Sequence, residues 1–204
     1  MDTLTKLLSE CVRDADTLGE ILHLSQEETE RIREITKRYP MCVPPYYLNL
    51  INKNDPNDPI RRISVPGLHE LAESGMEDTS GESDNTVVQG MQHKYRQTAL
   101  ILTTNQCSMY CRFCFRKRMV GYSDEETAKM IPEIAKYVES HPEINNVLLS
   151  GGDALINANS TIETYLDTFS KIKSLDFIRI GTRTPVVLPM RIYEDQQLLN
   201  ILKT

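Results

Sequence analysis

Three cysteines stand close together in the run Asn105-Gln-Cys-Ser-Met-Tyr-Cys-Arg-Phe-Cys-Phe-Arg-Lys-Arg118. As thiolates, Cys107, Cys111 and Cys114 could hold three irons of an iron–sulfur cluster and leave a fourth iron open for chemistry, because no fourth cysteine lies near them. Other readings of the same spacing stay open. Positions i, i+4 and i+7 share a helical face, so three small side chains could simply be core. A structural zinc site would add a ligand from outside the motif to the pair Cys111 and Cys114, with His93 and His141 the nearest candidates. The cations Arg112, Arg116, Lys117 and Arg118 could neutralise nucleic-acid phosphates. Yet the chain carries a formal net charge of −6, which leaves no broad basic surface to extend that patch. Local positive charge suits a site that holds thiolates and binds anionic groups.

Elements that could position such a site follow from the hydrophobic pattern. Thr98-Ala-Leu-Ile-Leu-Thr-Thr104 predicts a buried strand with the cysteine loop at its C-terminal end. Ser123 with Glu126 predicts a capped helix that carries Met130, Ile134, Tyr137 and Val138 inward. Asn146-Val-Leu-Leu-Ser150 predicts a second strand, ending in Gly151-Gly152-Asp153. A helix follows from about Thr161 to Ser174, with Ile162, Tyr165, Leu166, Phe169 and Ile172 at helical spacing. Phe177 to Thr182 predicts a third strand, and Tyr193 to Leu202 a further helix. Three successive βα units imply parallel strands with right-handed crossovers and chemistry at the C-terminal strand ends. Taken alone, Gly151-Gly152-Asp153 reads as a tight turn with Asp153 as a cap. Facing the cysteine loop, the two glycines would also admit a ligand to the strand-end backbone.

The residues before this core read differently. Ser25 and Glu28 form a capping-box pattern, and Ile32, Ile35 and Tyr39 make an apolar stripe, so a helix is expected from about Gln26 to Arg38, ended by Pro40. Pro44, Pro45, Pro56 and Pro59 follow, with consecutive turns from Asp55 to Pro59. Residues Glu73 to Asp84 are acidic and rich in Ser and Gly, a composition expected of an exposed linker. The organisation expected is a helical, proline-rich extension over 1–90 and an incomplete core over 91–204. With 204 residues, 40% hydrophobic and 25% charged, the chain fits an ordinary globular class. No apolar run approaches the roughly 20 residues of a membrane helix, and the N-terminus lacks a secretory core, which predicts a cytoplasmic protein. The five cysteines are an odd number, which argues against a disulfide framework; Cys11 and Cys42 receive no role.

In this setting Cys107-x-x-x-Cys111-x-Phe-Cys114 resembles the signature of radical S-adenosylmethionine (SAM) enzymes, and Ser150-Gly-Gly-Asp153 resembles their methionine-binding glycine motif. The similarity is closer to the lysine 2,3-aminomutase family, including its glutamate-specific members and the branch that makes β-lysine for elongation factor P. It is carried by Tyr46-Tyr-Leu-Asn-Leu-Ile51, Asn57-Asp-Pro-Ile-Arg61, His93-Lys-Tyr95, Cys107-Ser-Met-Tyr-Cys-Arg112, Leu148-Leu-Ser-Gly-Gly-Asp-Ala-Leu155 and Arg179-Ile-Gly-Thr-Arg-Thr-Pro-Val-Val-Leu-Pro189, from about Met41 onward.

The resemblance implies an α/β fold: part of a TIM-like radical SAM barrel, about three βα units. It implies a 4Fe-4S cluster on Cys107, Cys111 and Cys114, with SAM on the open iron. Phe113 would lie against the adenine, and Ser150, Gly151, Gly152 and Asp153 would receive the methionyl end. One electron would cleave SAM to methionine and a 5′-deoxyadenosyl radical, which in the mutases starts amino-group migration on a substrate held by pyridoxal phosphate (PLP). Lys94 and Tyr95 match positions near the PLP phosphate, where Lys supplies a point charge without the bidentate fork of Arg. Arg116 matches an arginine assigned to a substrate carboxylate, against the plainer reading of a solvated surface residue. His93 receives no role.

In the family the PLP lysine and the substrate-selecting acidic residues lie beyond the stretch that corresponds to Thr204, and no lysine here matches the former. The expectation is therefore the N-terminal part of an aminomutase, lysine being the default substrate, served by an electron-donor protein and assembled as a homo-oligomer or with a C-terminal partner chain. A partial product that only binds cluster and SAM, or associates with another subunit, is the alternative. A zinc-binding interaction module is a third. Neither nucleic acid nor membrane is expected as a partner.

Overall fold

A computed structural model of the chain describes residues 2–72 and 75–203. Side-chain caps start the first helices. Asp2 accepts from Thr5 N before α1 (Thr3–Ser9), Asp14 accepts from Thr17 N before α2 (Ala15–Leu22), and Ser25 and Glu28 exchange bonds before α3 (Gln26–Arg38). Helix α3 has the predicted bounds. It ends where Tyr39 turns extended ahead of Pro40, since proline disfavours helical geometry in the residue before it. The short helices α4 (Pro45–Leu48) and α5 (Pro59–Ser64) each begin at a proline, where a missing N–H costs nothing. The turns read over residues 55–59 are present, and Asp58 caps α5 by accepting from Arg61 N at 2.8 Å.

Most of the described acidic segment is exposed, as its composition implies, but Glu82 is not. Glu73 and Ser74 lie outside the described residues. Beyond them, the Asp78 carboxylate accepts from the N–H groups of Glu82 and Ser83 and starts a helical turn, α6 (Glu82–Asn85), in which Glu82 is buried. Composition treats such a carboxylate as solvated; here arginines of the cysteine loop neutralise it in the interior.

Five strands form one sheet in the spatial order β1 (Thr86–Val88), β2 (Met91–Tyr95), β3 (Thr98–Thr104), β4 (Asn146–Gly151) and β5 (Phe177–Ile180). Strands β3, β4 and β5 are parallel as predicted, with Leu100 level with Leu148 and Leu148 with Arg179. The antiparallel hairpin β1–β2 was not foreseen, because Met-Gln-His-Lys-Tyr is too polar to announce a strand at the margin of a sheet.

The helix predicted from Ser123 is corrected. Residues 123–130 form turns, Met130 is exposed, and α7 (Ile131–Ser140) starts only beside Pro132, whose ring would clash inside a longer helix. Helix α8 (Asn159–Phe169) stops short of Ser174, and Ile172 reaches the core from a turn, its N–H donating to Phe169 O at 3.1 Å. Strand β5 likewise ends before Gly181 and Thr182. After α9 (Thr184–Val187), the predicted helix over 193–202 is two short ones, α10 (Met190–Tyr193) and α11 (Gln196–Ile201). Asp195 separates them by capping the second through Leu198 N.

Ala99, Ile101, Val147 and Leu149 on one sheet face pack against Ile134, Val138, Tyr165 and Phe169 of α7 and α8. Each such burial contributes about 1.5–3 kcal/mol. By strand alternation Leu100, Leu148, Ser150 and Arg179 occupy the opposite face. A second apolar cluster joins Leu18, Leu22, Ile32 and Leu48 to Met109, Ile156, Val187 and Leu188, drawing on both sides of residue 90. No helix among the described residues is long and apolar enough to cross a membrane.

Candidate functional site

The turns after β3 and β4 are bound directly to each other. Gly152 N donates to Thr104 O at 2.6 Å, Asp153 N to Gln106 O at 2.8 Å, and Thr103 Oγ1 to Ser150 O at 2.9 Å. This approach requires the two glycines. A Cβ on Gly152 would lie 2.2 Å from Gln106 O, and Gly151, at φ +117°, would place one 2.4 Å from Thr104 O. Gly152→Ala is expected to force the two turns apart and cost about 1–3 kcal/mol in urea unfolding; an unchanged midpoint would contradict the close approach.

Cys107, Cys111 and Cys114 lie in this β3 loop, all half-buried and free. The loop forms turns rather than a helix, so the reading of three cysteines on one buried helical face is overturned. Backbone bonds to distant segments hold it, Tyr110 N donating to Cys42 O at 3.0 Å and Arg112 N to Ile63 O at 2.8 Å, and Gly121 N closes the loop by donating to Asn105 O at 2.9 Å. Cys42 and Cys11, both buried, direct their thiols to Ser108 O at 3.1 and 3.8 Å. Two cysteines left without a role thus brace the loop that carries the other three.

Burial pushes the Cys107 thiol well above its ordinary range, repulsion from Asp153, Cys114 and Cys111 pushes it further, and Arg116 opposes the rise. Burial also raises Cys111, against the lowering effect of Arg183. Cys107 therefore lies within electrostatic reach of the other two cysteines of the loop. Among the described residues, however, no three His, Cys, Asp or Glu side chains converge on the position of a single ion. As thiolates the three cysteines could each bind an iron, and positive irons would relieve their repulsion.

Two buried carboxylates neutralise the cations of the loop. Glu70 accepts from Arg112 Nη2 at 2.6 Å and from Lys117 Nζ at 2.7 Å, and Glu82 from Arg116 Nη2 and Arg118 Nη2, both at 2.7 Å. Burial alone would raise both carboxyls; the paired cations hold them below the usual range. The four cations therefore do not form an unpaired basic patch. Arg116 is buried rather than solvated. Its Nε and Nη2 edge is taken by Glu82, and Nη1 donates to Gly151 O at 3.2 Å and Ser150 Oγ at 3.4 Å, which ties it to the glycine turn.

Phe113, within the cysteine loop, is 64% exposed, with the Arg183 guanidinium carbon 5.4 Å from its ring centroid. Lys94 and Tyr95 are not gathered here. Tyr95 pairs with Thr98 at the N-terminal end of β3, and the rise of that strand puts it about 20 Å from the loop end; Lys94 Nζ donates to Ser80 O at 2.7 Å. Glu70, Glu82 and Arg183 were missed. Arg183 stands inside the Arg179–Pro189 motif, which gave it no role, and no pattern marks Glu70 or Glu82, since each is defined by a partner far away in sequence.

Residues 101–203 match the model of the Radical SAM superfamily. The chain is 40% identical to the L-lysine 2,3-aminomutase of Clostridium subterminale over 195 residues, covering 94% of this chain and 46% of the relative. It is 39% identical to the L-lysine 2,3-aminomutase of Bacillus subtilis over 96% of this chain and 42% of the relative. It is also 36% identical to the glutamate 2,3-aminomutase of Clostridioides difficile over 96% of this chain and 46% of the relative. The chain spans about half the length of the curated relatives it matches.

Proposed function

We propose that this chain, which belongs to the radical SAM superfamily, is the radical-initiating part of an amino acid 2,3-aminomutase, with L-lysine the first substrate to test. The observation that carries the reading is the loop of three thiols held over the Gly151-Gly152 turn by the bonds from Gly152 and Asp153 to Thr104 and Gln106. When bound, a reduced 4Fe-4S cluster supplies the electron that splits the SAM sulfonium into methionine and a 5′-deoxyadenosyl radical.

The chain's own residues bind and orient. Cys107, Cys111 and Cys114 are the cluster ligands. The backbone of Ser150, Gly151 and Gly152 lines the space for the methionyl end, because no side chain at the two glycines intervenes. Exposed Phe113 offers its ring to the adenine. Arg116 stiffens the glycine turn through Gly151 O and would engage a substrate carboxylate only by giving up bonds to Glu82. Lys94 and Tyr95, at the far end of β3, would act on the phosphate of PLP, well away from the thiols. Amino-group migration is assigned to the whole protein, since about half of each relative's length lies outside the matched region.

Anaerobic reconstitution with iron and sulfide tests this reading. The expected product is brown, absorbs broadly near about 400 nm, and with dithionite converts SAM to methionine and 5′-deoxyadenosine. A colourless protein that takes up zinc but no sulfide would overturn it.

A further inference from the structure

Asp153 and Arg183 form a relay between the two motifs. The Asp153 carboxylate is buried and accepts four hydrogen bonds: from Leu155 N at 3.0 Å and Thr182 Oγ1 at 2.6 Å on Oδ1, and from Arg183 N at 2.7 Å and Thr184 N at 3.0 Å on Oδ2. An ionised carboxylate offers about four acceptor sites. All are occupied by the protein, so Asp153 holds the segment after β5 rather than a ligand. From that segment Arg183 Nη1 donates to Cys111 Sγ at 2.6 Å, and the guanidinium carbon stands 5.4 Å from the centroid of the Phe113 ring. Arg112, Arg116 and Arg118 each pair with a carboxylate, whereas among the described residues none pairs with Arg183. Its charge is therefore directed at the sulfur and the ring.

We propose that Arg183 is an outer-sphere donor to the Cys111 thiolate, positioned by Asp153, and that this donor raises the reduction potential of the cluster; this rests on the cluster reading above. One-electron reduction adds negative charge to the cluster and its thiolates. A permanently cationic donor on a ligand sulfur stabilises that reduced form more than the oxidised one. The Phe113 ring adds a cation–π contact to the same guanidinium. The position of Asp153 immediately after the glycines gives it a second consequence: the turn that receives SAM and the donor that tunes the cluster are fixed by the same residue.

The test uses the full chain reconstituted anaerobically, titrated with dithionite and mediators and followed by the electron paramagnetic resonance signal of the reduced cluster. Arg183→Met is expected to shift the midpoint to more negative potential by roughly a tenfold change in the reduction equilibrium, about 59 mV for a one-electron couple. Asp153→Asn removes a negative charge near Cys107, which acts to raise the midpoint, and loosens Arg183, which acts to lower it. The Asp153→Asn shift should therefore be more positive in the Arg183→Met background than in the unsubstituted chain, because only the latter has a donor to loosen; equal shifts in the two backgrounds would overturn the positioning role. An unchanged midpoint in an Arg183→Met protein with full iron and sulfide overturns the inference and leaves the cluster reading standing. Failure of the unsubstituted chain to take up iron and sulfide overturns both. Should Arg183→Met itself not load, Arg183→Gln, which keeps a polar side chain but loses the cation, is titrated instead. An unchanged midpoint there overturns the assignment.

Discussion

Replacing Cys111 with alanine is expected to abolish cluster binding while leaving the fold in place. Cys111 is half-buried in a loop whose shape rests on backbone bonds: Cys114 N donates to Cys111 O at 3.1 Å, and Arg112 N to Ile63 O at 2.8 Å, neither of which needs the sulfur. The substitution removes little buried apolar surface, so the unfolding midpoint should move by no more than about 1 kcal/mol. Iron and sulfide content after reconstitution should fall to background, since two thiolates cannot hold a cluster designed for three. Cys42→Ala is the informative contrast. Its thiol is fully buried against Ser108 O at 3.1 Å, so that variant should lose stability yet retain iron when folded. A Cys111→Ala protein with full iron and sulfide would contradict the ligand assignment.

Glu70→Ala is expected to cost about 3–5 kcal/mol, because it strands buried cations without a partner. The Glu70 side chain is 1% exposed and receives bonds from Arg112 Nε and Nη2, while Lys117 Nζ reaches it at 2.7 Å. It also accepts from Gly67 N at 2.8 Å, which fixes the turn leading into the site. Chemical denaturation at neutral pH reads this loss. Joint replacement of Glu70 by Leu and Arg112 by Met should recover much of it, since the penalty belongs to the unpaired charge. The sign with pH follows from the lowered carboxyl. Glu70 contributes stability that is fully present above its ordinary value of 4.5 and is lost as pH falls through the lower folded value. The unsubstituted chain should therefore weaken below about pH 4.5 more steeply than Glu70→Ala. Equal slopes would show that the carboxylate is not held by its partners in this way.

Several features of the molecule were legible residue by residue. The Ser25–Glu28 box and Pro40 bound α3 on both sides, and the apolar run over 98–104 gave β3 its full extent. The glycine pair stood at the end of β4 as expected, facing the cysteine loop. These are matters of caps, proline stereochemistry and strand alternation, which act between residues a few positions apart. Misreadings arose where one local signal competed with another. Ser123 and Glu126 looked like a helix start, but Pro132 postponed the helix and Glu126 found Arg118 instead. Glu82 reads as solvated with the rest of its acidic run because composition carries no information about its partners.

The sequence by itself determined the motifs, their order and their placement at the ends of parallel strands, because those depend on short-range pattern and connectivity. Only the tertiary structure decided which charges meet. Glu70 lies 42 residues from Arg112, and Arg183 lies 72 residues from the sulfur of Cys111. Partnerships at such distances depend on the path of the folded chain, through the shared core of α2, α3 and the loops after β3 and β5. That path turns three spaced cysteines into a braced, cation-lined loop in contact with the glycine turn beside it.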